Sequence, residues 1–330
     1  RLAPADSAPC ARSSHGLSST PNGKLYLFGG EAIARQAIDS AVHEGTATYE
    51  AVALQTPVHW RSFVPAVAPP PRVGHAQAAV GDRVFVFGGR SGVTMGDASL
   101  QDLWAFDPAA GTWSEITPAA GTPPSPRSYH RCAAIGKSLF IFGGCGTAGR
   151  LADLHEFCCE TREWWQLPAP PELAGRGGAV FEAATDGLSL WLLGGFAGRE
   201  TNDVFKYDIA RREWTRVPSD WLRPRSVCAS FSLPGLIIVF GGEMSPSAKG
   251  HEGAGRHASD LLAIDSTSGE PVQVEVVPPA HEDSSGPPAR GWTAATAVSE
   301  RCGVLFGGLA GDDTSPVRLG DAWAVTFSDE

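Results

Sequence analysis

The 330-residue sequence has no apolar run of about 18 residues and no charged start followed by an apolar leader, so neither a membrane-spanning helix nor a signal peptide is expected. A soluble, cytoplasmic protein is expected instead. No Lys/Arg run offsets a formal net charge of −10, which argues against nucleic acid and against anionic membranes as partners. The seven cysteines, at 10, 132, 145, 158, 159, 228 and 302, are odd in number, scattered and without a C-x-x-C pair. That pattern points away from a disulfide framework and a zinc knuckle, and towards reduced thiols. Only four tyrosines are present (26, 49, 129 and 207), and no Tyr-Cys-His cluster for copper-radical oxidation or Ser/Cys nucleophile motif is visible. A long amphipathic helical pattern is missing as well.

Glycine and proline are plentiful, at 39 and 26, and they punctuate a repeat. Val84-Phe-Val-Phe-Gly-Gly-Arg90 is a short apolar run closed by a glycine pair, and the design recurs at 25–30, 139–144, 190–195, 237–242 and 304–308. Such a run reads as a buried strand, and the glycines allow backbone dihedrals that a side chain forbids. Ahead of each pair, at offsets of 16 to 18 residues, stands an arginine opening another small, apolar segment: Arg12, Arg72, Arg127, Arg176, Arg225 and Arg290. Near-constant spacing fits two strands joined by a tight turn. A third strand is expected at Asp102-Leu-Trp-Ala-Phe-Asp107 and where the pattern returns at Asp153, Asp203, Asp260 and Asp321; in blade one it is expected over 46–51, without the aspartate. Trp113, Trp165 and Trp214 mark a fourth strand and are expected in the blade cores.

Six units of about 50 residues make one all-β domain over 1–330: a six-bladed β-propeller of four-stranded antiparallel blades. Leu2 precedes Arg12 much as Ile116 precedes Arg127, so the N-terminal strand is expected to close the last blade. The meander puts the arginine segments and the residues after each glycine pair on one face, here the top face. Residues common to all blades maintain the blade; those that break the repeat are the functional candidates. The six arginines, and His15, His75 and His130, are therefore expected to be structural. The position after the glycines does vary (Glu31, Arg90, Cys145, Phe196, Glu243, Leu309), and two residues after the arginine only Tyr129 and Trp292 are large aromatics. With Arg150, the residues Arg90, Tyr129, Trp292, Glu31 and Glu243 could enclose a small organic anion, or else form a solvated rim of ion pairs.

The glycine pairs, aromatic third strands and spaced tryptophans resemble the kelch family of propellers across essentially the whole chain. Ala11-Arg-Ser-Ser-His15, Phe28-Gly-Gly-Glu31, Arg127-Ser-Tyr-His130, Gly149-Arg150-Leu, Arg290-Gly-Trp292 and Gly-Gly-Glu243 with His251 resemble the plant nitrile-specifier, epithiospecifier and thiocyanate-forming group and its less specialised relatives. The resemblance implies an Fe(II) loop of pattern Glu-x3-Asp-x3-His that diverts glucosinolate aglucones to nitriles, with Glu243 and His251 at its ends. Ser247 stands where that pattern has aspartate, a weaker donor to iron. It also implies a pocket lined by Arg90, Arg150 and Trp292. Two functions are thus expected in competition: an iron-assisted lyase or isomerase acting on a glucosinolate aglucone, and a non-catalytic propeller binding a protein segment on the top face.

Overall fold

The computed structural model describes residues 2, 8–47, 58–93, 97–277 and 286–328, with His251 described without its side chain. Five sheets of four antiparallel strands and one of three are ranged about a central axis. Blade two is typical: Ala76–Val80, Arg83–Arg90, Ser99–Asp107 and Thr112–Glu115 pair in sequence order from the axis outwards. The first strands of neighbouring blades contact one another all the way round. No α-helix occurs among the described residues; a single 3-10 turn, Gly250–Glu252, interrupts the blade-five loop. The second strands supply Leu25, Val86, Ile141, Leu192, Ile238 and Val304, all essentially without solvent exposure, because each is sandwiched between two blades.

The glycine pair does not end the second strand, as its sequence suggested. In blades two, three, four and six the strand runs on past the glycines across a shift of register. The first glycine has φ of 56° to 66° and the second 95° to 106°. Close approach requires them too: a Cβ on Gly144 would lie 2.7 Å from that of His130 and 2.8 Å from the Ser128 carbonyl oxygen. In blades one and five the extension is replaced by separate small hairpins, Glu31–Ile33 with Gln36–Ala37 and Glu243–Ser245 with Arg256–His257.

Each arginine precedes its first strand by four residues, with a left-handed residue between, so it anchors the strand rather than starting the ladder. Its Nη1 donates to the carbonyl of the first glycine of its own blade at 2.9–3.1 Å. In blades two, three, five and six both Nη atoms also grip the third-strand aspartate, as Arg290 does Asp321 at 2.6 and 2.9 Å. Its own carbonyl accepts the N–H of the second glycine of the preceding blade, at 2.8–3.0 Å around the whole ring. The side chain therefore ties the start of the first strand, the glycine pair and the third strand of one blade together, which accounts for its recurrence, while the backbone carbonyl links that blade to the one before.

Two expectations about strands need correcting. Blade one's third strand is Val42–Thr46, not 46–51, of which 48–51 lie outside the described residues. Ala41 stands in the aspartate position, so the usual cue is missing, and Arg12 Nη2 donates to the Cys10 sulfur instead. In blade three the core tryptophan is Trp164, 3% exposed, whereas Trp165 is 41% exposed. Trp164 pairs with Phe157 as Trp113 does with Phe106, and a one-residue slip carries a side chain to the other face. The expected closure is present at Leu2, whose N–H donates to Ala322 at 3.0 Å on the outer side of blade six; residues 1 and 3–7 lie outside the described residues.

Candidate functional site

The top face is built from concentric rings. Innermost are Ser14, Gly74, Tyr129, Gly178, Val227 and Trp292, one per blade, all left-handed with φ between 49° and 62°. That conformation turns each peptide along the ring, and the N–H of every member donates to the carbonyl of the member in the preceding blade at 2.6–3.0 Å, closing on itself through Ser14 and Trp292. For Val227, a β-branched residue, φ of 49° is a real strain, held by the ring bonds on either side. The next ring is the residue after each glycine pair, bridged to the residue after each arginine, as Val73 is to Arg90 and Ser226 to Glu243.

Tyr129 and Trp292, from opposite blades, meet over the axis edge to face with ring centroids 5.3 Å apart. Arg90, 1% exposed, lies over the Tyr129 ring at 5.3 Å and donates to its hydroxyl at 3.2 Å. Burial pushes the Tyr129 phenol above its ordinary range. Glu31, 2% exposed, accepts from the Ser13 and Ser14 hydroxyls at 3.2 and 3.1 Å and from the Arg35 N–H, and lies 3.6 Å from Arg318 Nη2. Arg90, Tyr129, Trp292 and Glu31 are thus brought to one mouth. Arg150 stands on blade three with Tyr129, its guanidinium 4.5 Å from the centre of the Phe196 ring of blade four.

Beneath the aromatic pair lies a cavity of about 40 Å³, lined by His15, His75, His130, Arg131, Tyr129 and Trp292 among others. That is room for water-sized molecules rather than for an organic ligand, for which pockets run to several hundred Å³. The three histidines pack edge-on to Phe306, Phe28 and Phe87 at 5.4–5.7 Å, as expected of structural residues. Burial lowers all three, His75 to about 3.

Glu243 occupies the blade-five side of the mouth, under the loop 244–255, and accepts the Ser247 N–H. Burial raises its carboxyl to about 7, with the neighbouring Glu200 and Asp313 adding to the shift. The Ser247 hydroxyl is engaged with the Lys249 N–H and the Asp313 carboxylate, which blade six extends towards this loop. His251's side chain lies outside the described structure. Among the described residues no three His, Cys, Asp or Glu side chains could together hold a metal ion. Glu243 and Ser247 alone offer one carboxyl group and one neutral hydroxyl already hydrogen-bonded, fewer donors than a ferrous ion takes.

Sequence reasoning missed Glu200 and Arg318, and His257 stands at the equivalent place in blade five. Each pairs across its hairpin with a residue after a glycine pair: Phe196 with Glu200, Glu243 with His257, Leu309 with Arg318, just as Cys145 does with Arg150. The signal was present in the chain, since all four lie three residues before a third-strand aspartate.

Known proteins can be set against this geometry. A family model described as the KLHDC2/KLHL20/DRC7 Kelch-repeats domain matches residues 1–119 and 51–242. The chain belongs to the kelch-repeat family. Among similar proteins is the N-(sulfonatooxy)prop-2-enimidothioate sulfolyase of Thlaspi arvense, 27% identical over 91% of this kelch chain and 88% of that protein. Putative adagio-like protein 2 of Oryza sativa subsp. japonica is 29% identical over 90% of this chain, which spans 47% of the rice protein. Human host cell factor 1 is 29% identical over 64% of this chain and 11% of its own length. In fold, the solved structure of YjhT aligns with 98% of this chain and 97% of its own at a TM-score of 0.73, with 16% identity. This kelch propeller is therefore similar both to a plant sulfolyase and to much longer proteins of which it spans 47% and 11%. No helix among the described residues is long and apolar enough to cross a membrane.

Proposed function

We propose that this protein is a binding propeller whose top face takes an anionic group, carboxylate or sulfate, carried on an apolar body. The observation that carries the reading is a set of three arginines at the mouth with buried guanidinium nitrogens that make no hydrogen bond: Arg90 Nε, Arg150 Nε, and Arg318 Nε and Nη2. Buried polar groups of this kind are costly unless something accepts their hydrogen bonds, and Glu31 is the one carboxylate ion-paired with any of them among the described residues. An anion resting on the outer side of Tyr129 and Trp292 would accept those bonds, while the rings cover its apolar part. The small cavity below the rings supports binding on the mouth rather than inside the channel. The ligand is then a small organic anion or an acidic protein segment.

Phenyl sulfate is a stable probe of both features. Its affinity, read by tryptophan fluorescence, is expected to weaken with added salt and to fall about tenfold in Arg150→Gln or Arg318→Gln, the loss expected when a charged hydrogen bond is removed. Unchanged affinity in both variants would sink the reading. The likeness to the Thlaspi arvense sulfolyase favours a second reading, in which the bound anion is a sulfated imidothioate or another glucosinolate aglucone and is converted. Ferrous iron at Glu243, Ser247 and His251 belongs to that reading alone. Product analysis of myrosinase-treated allyl glucosinolate, with and without the protein and Fe(II), separates the two: nitrile or thiocyanate formation establishes the second, and an unchanged product spectrum leaves the first.

A further inference from the structure

On blades four and five the mouth carries two buried carboxyl groups without a cation partner among the described residues. Glu200 opens the third strand of blade four and is 8% exposed; Glu243 follows the glycine pair of blade five and is 7% exposed. Several other carboxylates on the buried side of this fold have cations: Glu44 has Lys24 and Arg61, Glu31 has Arg318, and the third-strand aspartates have their arginines, while Glu182 is held by the Ser230 and Ser232 hydroxyls. Among the described residues Glu200 and Glu243 have none. Glu200 Oε1 is buried without a hydrogen-bond partner, and both ring nitrogens of His257, which pairs with Glu243 across the hairpin, are also buried without partners. The Ser226 hydroxyl, next to the Glu200 carboxyl, sits on the residue bridged to Glu243, so the two acids face one space between blades. Fold maintenance does not ask for this, because the equivalent residues elsewhere are Arg150 with Cys145 and Arg318 with Leu309.

We infer that Glu200 and Glu243 form a subsite for an organic cation, the guanidinium or ammonium of a basic side chain on a bound protein segment. Two carboxylates offer four acceptor oxygens in the fork that a guanidinium matches, whereas a metal ion needs more donors than the described residues assemble. With Arg150 of blade three and Arg318 of blade six flanking the acids of blades four and five, the face suits a segment carrying both signs of charge. That favours a protein segment over a simple organic anion. The inference rests on the proposed function only in taking the top face as the binding face.

The test uses N-acetyl-arginine methylamide, with its uncharged isostere N-acetyl-citrulline methylamide as control, titrated calorimetrically into the intact chain. The arginine compound is expected to bind and the citrulline compound not to. Glu200→Gln and Glu243→Gln are each expected to weaken arginine binding by roughly tenfold or more, the loss of a desolvated charge partner, with phenyl sulfate affinity unchanged. Because each substitution removes an uncompensated buried carboxylate, both variants should melt no lower than the wild type. Equal binding of the two compounds, or arginine binding indifferent to both substitutions, overturns the subsite. So does a chain that binds phenyl sulfate but not the arginine compound, an outcome that leaves the proposed function standing.

Discussion

Arg290 is fully buried and holds Asp321 with both ends of its guanidinium, so removing the carboxylate leaves a cation stranded in the wall of the propeller. Asp321→Ala is expected to cost roughly 3–5 kcal/mol in urea denaturation. The three neutral histidines under the aromatic pair give a pH signature. Their folded affinity for protons is depressed below that of the unfolded chain, so the unfolded state binds more protons as pH falls. Their contribution is whole above about pH 6.5 and drains away towards about pH 3, the value for His75. Substituting His75 by Gln should flatten that part of the stability profile; an unchanged profile would place the acid sensitivity elsewhere. The structural roles of these residues were legible because each repeats between blades. The inner ring was not: nothing about Ser14, Gly74 and Val227 as residue types announces a closed circle of left-handed peptides, which exists only once six blades meet.

At the level of strands, aspartate and tryptophan cues placed most elements, and the two errors have one cause. Blade one lacks the aspartate, and blade three offers two adjacent tryptophans, so the local pattern did not fix the register. The spacing between repeats does: the core-facing tryptophan follows the aspartate by eleven residues in blades two, three and four, which selects Trp164. Trp164→Ala should therefore cost about 3–5 kcal/mol, and Trp165→Ala well under half of that. Equal losses would contradict the register. The rim residues were half-legible for a related reason. The position after the glycines is conspicuous in the sequence, but its partner across the hairpin, where Arg150, Glu200, His257 and Arg318 stand, becomes its neighbour only through pairing.

The whole molecule is a closed ring joined by two belts of backbone hydrogen bonds between blades and, at the seam, by Leu2 on blade six. Leu2 is 5% exposed, so Leu2→Pro, which removes both its N–H and its packing, is expected to destabilise by about 2 kcal/mol or more. A loss near zero would mean that the seam is held without it. Closure gives the top face its character, since only the ring brings Tyr129 of blade three against Trp292 of blade six. That face as the binding site is tested most directly by the indole N–H resonances of the ten tryptophans during titration with phenyl sulfate. The Trp292 resonance is expected to move in step with binding while those of Trp60, Trp113, Trp164 and Trp214, packed inside the blades, stay still. Saturable binding that leaves Trp292 unmoved would contradict the account.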